Sequence, residues 1–322
     1  MNKTSHRAAA IDIGTNTVKM AVGDLEPTGI VNLIADASEQ TRLGEGTDST
    51  GVLGAAALER TADVVARLVA QAHCLGARHV RVAATSAARE AANREELVSR
   101  LREKTGVEPV ILSGEDEARV SFLAVAMDPV LGGFRGEQLV VDVGGGSTEL
   151  ISGIGNRLVS AVSARTGAVR LTERFLAGDP PSEPEVAAAA AGAEAELRNR
   201  FSFRTVQRLV GIGGSAVNLA RIWLRIPAER TPQAHSSAIP VEGLRELVNT
   251  LSRLSVARRR DLIGLDPNRA DIILAGAVIL ERAAHLCQAA ELVVSVRGLR
   301  HGLLYEMMLA EIDRKSTRLN SS

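Results

Sequence analysis

One short motif occurs twice in this chain, and the repeat restricts the possible folds more than any other feature. Ile11-Asp12-Ile13-Gly14-Thr15-Asn16-Thr17 and Val141-Asp142-Val143-Gly144-Gly145-Gly146-Ser147-Thr148 each place an Asp and then a turn of small residues after an apolar, strand-like run. The spacing between Asp12 and Asp142 is about one small domain. Turns of Gly, Ser, Thr and Asn let backbone N–H groups approach an anion, and the Asp before such a turn can hold hydrated Mg2+ among phosphate oxygens. The pair predicts two lobes that grip one polyphosphate from opposite sides.

Composition narrows the partners. At 322 residues the chain can build two domains, each with its own core. Only 2% of residues are aromatic, so Ala, Val, Leu and Ile must fill those cores, and few rings are left to stack on bases. A net charge of +0 argues further against a nucleic-acid partner. Lys3, Lys19, Lys104 and Lys315 are the only lysines; the skew towards arginine suits phosphate and equally fits a codon bias. Cys74 and Cys287 offer no disulfide framework or cysteine-rich zinc site. No apolar run approaches a membrane span and no signal peptide is readable, which predicts a cytoplasmic protein with no membrane partner.

Periodicity repeats the plan signalled by the turns. Strands are predicted at Ala8 to Ile13, Val18 to Val22 and Val31 to Ala35, then helices and strands alternate to a helix capped by Ser113. Residues 127–138, with Pro129 and three glycines, read as a hinge. Three strands restart the order from Leu139, a further strand ends at Ile212, and a closing helix is predicted at Arg300 to Ile312. Pro227 to Pro240 reads as an irregular loop. The expected domains are 1–126 and 127–313, with 314–322 a disordered tail or an artefact.

Several further segments could carry chemistry. Ser113-Gly114-Glu115-Asp116-Glu117 gathers three carboxylates at a helix start; they complement the dipole, and one could also orient water for phosphoryl hydrolysis. Thr85 to Arg89 opens a helix and puts an arginine where an anion could sit, although an ordinary ion pair fits as well. Gly211-Ile212-Gly213-Gly214-Ser215 reads as a strand-to-helix turn near a nucleotide or a second phosphate, or as tight packing. His235 and His301 read as surface histidines, and Arg258-Arg259-Arg260 as a solvated helix face. No P-loop sequence is present.

Together with Arg42-Leu43-Gly44, Ala84-Thr85-Ser86-Ala87-Ala88-Arg89 and Ala118-Arg119, these motifs resemble the exopolyphosphatase and guanosine pentaphosphate phosphohydrolase family, Ppx/GppA, from Ala8 to Met308. The resemblance implies an α/β fold of two ribonuclease H-like domains around a central cleft, as in actin, sugar kinases and the Hsp70 ATPase domain. It implies Mg2+-dependent removal of terminal phosphate from polyphosphate or guanosine pentaphosphate. Glu117 corresponds to the family's water-activating glutamate; Asp142 and Glu149 would assist as metal or water partners, and Asp12 would face the metal. Gly14, Thr15, Asn16, Arg89, Gly144, Gly145, Gly146 and Ser147 would hold phosphates, with Gly213, Gly214 and Ser215 a further phosphate or nucleotide turn. The family reads Gly-Leu-Arg-Glu-Gly where this chain has Gly298-Leu299-Arg300-His301-Gly302. A sugar-kinase-like phosphotransferase and an actin-like scaffold are the alternatives on the same fold, and a homodimer is expected on general grounds.

Overall fold

A computed structural model describes residues 6–26 and 31–320. The chain forms two compact units, residues 1–127 with 299–322 and residues 128–298. In the first, β1 (His6–Ile13), β2 (Thr17–Leu25), β3 (Val31–Gln40), β4 (His79–Ala84) and β5 (Val110–Ile111) form a sheet of order β3-β2-β1-β4-β5. Its helices are α1 (Thr47–Thr50), α2 (Ala55–Cys74), α3 (Ser86–Glu90), α4 (Arg94–Thr105) and α5 (Gly114–Ala126). The first three strands are antiparallel, while the crossover through α2 returns β4 parallel to β1. Strand side chains alternate between faces, so Ala9, Ile11 and Ile13 of β1 share one core with Leu58, Val65 and Leu68 of α2.

The second unit repeats this order. Strands β6 (Glu137–Val143), β7 (Thr148–Ile154) and β8 (Arg157–Ala164) are antiparallel, and β9 (Arg208–Ile212) runs parallel to β6. β10 (Ala238–Pro240) and β11 (Glu291–Val294) extend the sheet to the order β10-β11-β9-β6-β7-β8. The helices are α6 (Ala168–Phe175), α7 (Glu183–Arg200), α8 (Gly213–Leu224), α9 (Val241–Ser252), α10 (Val256–Arg259) and α11 (Ile273–Leu286). Even the register shift recurs, at Val22/Gly23 in β2 and Ser152/Gly153 in β7. Both units have the ribonuclease H-like arrangement that the resemblance implies.

Several local readings change. Residues 227–240, expected to be irregular, hold a 3-10 turn at Ala228–Ala234 and then β10, because the outer edge of β11 needs a backbone partner. Within the arginine run only Arg258 and Arg260 are exposed; Arg259 turns inward and donates from Nε to the Leu251 carbonyl at 2.9 Å and from Nη1 to Ala270 at 3.3 Å.

The largest departure is α12 (Leu299–Asn320), which the sequence reading assigns to the second domain. It belongs to the first unit, because Ala8, Ala10 and Ala21 leave the second face of that sheet apolar and Leu303, Leu304, Tyr305 and Met308 cover it. Residues 314–320, read from sequence as a tail, continue the same helix, and 321–322 lie outside the described residues. His301 is buried, not superficial: at 3% exposure its Nε2 lies 3.2 Å from Asp36, which also takes two bonds from Arg300 at 2.9 and 2.7 Å.

Small residues set how closely α12 approaches α5. A Cβ added to Gly302 would stand 1.9 Å from the Val120 carbonyl oxygen, a backbone atom with nowhere to move cheaply. Gly302→Ala is therefore expected to destabilise the first unit by about 2–3 kcal/mol. Hydrogen exchange should show it as faster opening of α5 and α12; unchanged protection would refute this packing.

The second unit starts and ends on a buried ion cluster. Asp128, with its side chain 0% exposed, accepts from the N–H groups of Val130 and Leu131 at 2.8 and 2.9 Å and lies 3.0 Å from Arg297 Nε. His235, read from sequence as superficial, sits 3.3 Å away from it. Burial alone would raise the Asp128 pKa, but His235 and the N–H groups of Leu131 and Val130 outweigh it and hold the carboxyl at about 2. A folded value below the unfolded one means stability is fully present above about pH 4 and lost as pH falls towards 2. Asp128→Asn is expected to flatten this acid limb by about 1–2 kcal/mol in urea titrations followed by Trp223 fluorescence. Equal slopes in the two proteins would exclude the effect.

Candidate active site

In the first unit three separated segments meet at the β1–β2 turn, and a fourth is tied to the third through Arg89. Gly14 N–H donates to the Thr17 carbonyl at 3.0 Å and closes it. The Thr15 carbonyl accepts from Gly44 at 2.9 Å, and the Asn16 carbonyl from Thr41 and Arg42 at 3.1 and 3.0 Å. Gly44 is required for this approach, since a Cβ there would fall 2.3 Å from Thr15 Cγ2 and 3.1 Å from Ala87 Cβ. In a trans peptide the N–H points opposite the preceding C=O, so engaging these carbonyls directs the Asn16 and Thr17 N–H groups to the other side. Thr85 adds the third segment, donating its N–H to the Ile13 carbonyl at 3.1 Å.

The fourth segment is the start of α5. Ser113 Oγ accepts from Asp116 N–H at 3.0 Å, as the capping pattern predicts. Helical spacing then separates the three acids: Glu115 and Asp116 are exposed, whereas Glu117 falls on the buried stripe with Val120, Ser121, Ala124 and Val125. Arg89 Nη1 donates to Glu117 Oε2 at 2.8 Å and to the Leu112 carbonyl at 3.0 Å. That fork fixes the carboxylate on the helix start.

The second unit closes its turn identically, with Gly144 N–H donating to Ser147 at 3.0 Å. The carbonyls of Gly144 and Gly145 accept from Ala168 and Val169, each at 2.9 Å, and that of Gly146 from Arg170 Nε at 2.8 Å. The N–H groups of Gly145, Gly146 and Ser147 therefore point away from α6, as an anion cradle requires. Gly167 makes the contact possible: its Cβ would lie 2.4 Å from the Gly145 oxygen and 2.7 Å from the Gly146 carbonyl carbon.

Beside this cradle Asp142 and Glu149 face each other across β6 and β7. Glu149 is 1% exposed, and its Oε1 accepts from the hydroxyls of Ser147 and Ser163, both at 2.8 Å. The first unit differs here, since Asp12 faces Lys19. Gly213, at φ +82°, packs on Asp142, where a Cβ would lie 2.3 Å from Oδ1. Gly214 lies against the Arg269 guanidinium, with a Cβ at 2.3 Å from Cζ, and Gly276 makes room for Ser215 Oγ. Tight packing thus accounts for the third glycine turn and brings it to Asp142.

Among the described residues no group of three or more His, Cys, Asp or Glu side chains forms a ready-made metal site. Two acids on adjacent strands suit a hard cation that keeps water and phosphate oxygens among its ligands. The sequence reading missed Gly167, Arg170, Ser163 and Arg269. None lies in a repeated motif, and only the fold brings them to the turns.

Comparison with known proteins agrees with this geometry. Residues 22–311 match the model of the Ppx/GppA phosphatase family. The chain is 33% identical to Exopolyphosphatase 1 of Mycobacterium tuberculosis over 95% of its own length and 90% of that protein. It is also 33% identical to Exopolyphosphatase 2 of that organism, over 86% and 90% of the two chains. The solved structure of the Ppx/GppA family member from Aquifex aeolicus superposes with a TM-score of 0.81 at 30% identity, covering 95% of this chain and 98% of that one. With the family match spanning most of the sequence and both turns formed as the motifs require, this chain belongs to the Ppx/GppA phosphatase family.

Proposed function

We propose that this protein is an exopolyphosphatase that releases orthophosphate from the end of inorganic polyphosphate. The observation that carries this reading is Glu117, the one buried acid of its helical turn, held by Arg89 of the segment whose Thr85 bonds the strand leading into the phosphate-type turn. In each unit the turn would receive phosphate oxygens chiefly through backbone N–H groups, those of Asn16 and Thr17 in the first and of Gly145, Gly146 and Ser147 in the second, because the N–H groups of Gly14 and Gly144 close their own turns. Glu117 takes the proton of the attacking water as its oxygen bonds to the terminal phosphorus; the bridging P–O bond breaks and the shortened chain leaves with its electron pair. Magnesium, when bound, would neutralise charge on the phosphoryl oxygens; Asp142 and Glu149 would hold it, with Asp12 the matching carboxylate of the first turn. The guanidinium of Arg269, packed on Gly214, would place positive charge beside any phosphate near Gly213, Gly214 and Ser215.

Guanosine pentaphosphate presents the same terminal anhydride and is the second candidate substrate. The test is to compare initial rates of orthophosphate release from polyphosphate, guanosine pentaphosphate and ATP, each with Mg2+. Polyphosphate is expected to exceed ATP at least tenfold, and chelation of the metal to abolish release. Phosphate transferred to an acceptor instead of water would overturn the reading. We further propose a cytoplasmic homodimer, for which sedimentation should give twice the 34.0 kDa chain mass. Among the described residues, no helix is long and apolar enough to cross a membrane.

A further inference from the structure

The outer corner of the second sheet has a cavity that the phosphate chemistry does not use. Helix α7 stops at Arg200, and residues 201–207 cross to β9 without helix or strand, so the covering layer ends before the sheet does. The gap leaves a pocket of about 410 Å3, within the range of small-molecule sites. Its floor belongs to the core: Leu139 of β6, Val162 of β8, and Phe201 and Val206 of the crossing. Phe201 is held edge-on to Phe203, with ring centres 5.0 Å apart.

The rim is charged. Arg200 and Arg204 stand over the apolar floor, with Glu137 the one acid among the lining residues. Arg204 makes no ion pair among the described residues, and Arg200 has only a 4.0 Å approach to Glu196. The pocket lies at the Glu137 and Ile154 ends of β6 and β7, whereas the phosphate turn joins their opposite ends. Seven residues of β6 at about 3.3 Å each separate them by about 20 Å.

We propose that this cavity binds a small amphipathic anion, with an apolar body seated on Val162 and Phe201 and one acidic group paired with Arg200 and Arg204. An apolar floor beneath a net positive rim selects that combination over a neutral hydrocarbon or a bare phosphate.

The probe for the test is 8-anilino-1-naphthalenesulfonate, titrated into the folded full-length chain by calorimetry and fluorescence. One saturable site per chain is expected. The double variant Arg200→Ala/Arg204→Ala should weaken binding at least tenfold, and Ser160→Trp, which fills the pocket from β8, should abolish it, with near-ultraviolet circular dichroism unchanged. Arg253→Ala, an exposed change away from the lining, should bind as the parent does. If the double variant does not fold, Arg204→Glu at its exposed position carries the same expectation. Absence of binding, non-saturating binding, or equal affinity in the pocket variants would overturn the proposal.

Discussion

Glu117→Gln is expected to lower the rate of orthophosphate release by about two to four orders of magnitude, with little change in KM. The substitution keeps the shape of the side chain and removes its capacity to take a proton. Arg89, 2.8 Å from Oε2, still holds the group, so folding should be preserved. Glu115→Gln, two residues earlier in the same helical turn but exposed, should change the rate less than about threefold, because its acid serves the helix dipole. Initial rates with polyphosphate decide the matter. A Glu117→Gln enzyme as fast as its parent would remove this residue as the base and leave the family assignment intact.

Gly167→Ala is expected to cost about 1–3 kcal/mol of stability in the second unit and at least about a hundredfold in rate. Its backbone is extended, at φ −147°, so the new methyl brings no torsional strain. The conflict is steric: a Cβ would meet the Gly145 oxygen at 2.4 Å and the Gly145 carbonyl carbon at 2.5 Å, both backbone atoms. The turn must move by roughly 1 Å, which misdirects the N–H groups of Gly145, Gly146 and Ser147. Gly133→Ala, with nothing within 4 Å, is the matched control and should be neutral. Phosphate release gives the catalytic effect, and urea unfolding followed by Trp223 gives the stability. A parental rate from Gly167→Ala would show that the turn bears no substrate.

Much of the architecture was legible because its signals are local. The Asp-to-Gly turns, the apolar runs of β1 and β6 and the Ser113 cap each depend on residues a few positions apart, and each forms as read. The position of α12 was not legible, since it depends on the Ala8, Ala10 and Ala21 face meeting Leu303 and Leu304 from the far end of the sequence. Charged residues misled for a related reason. Periodicity places Arg259 and His301 on helices but cannot see the Leu251 carbonyl or Asp36 that makes burial tolerable. At the candidate site, Glu117 emerged from a motif. Gly167 and Arg170 did not, because the one makes room for, and the other bonds, carbonyls of a turn more than 20 positions earlier.

The interrupted first unit has a consequence for biosynthesis. Residues 128–298 are contiguous and can complete their fold as soon as they leave the ribosome, yet β1 to β5 emerge before them and await α12. Throughout that interval the alanine-rich side of the early sheet is bare to solvent, a sticky surface on a nascent chain. Premature termination before Leu299 would make that exposure permanent, and such products should be prime clients for chaperones and proteases.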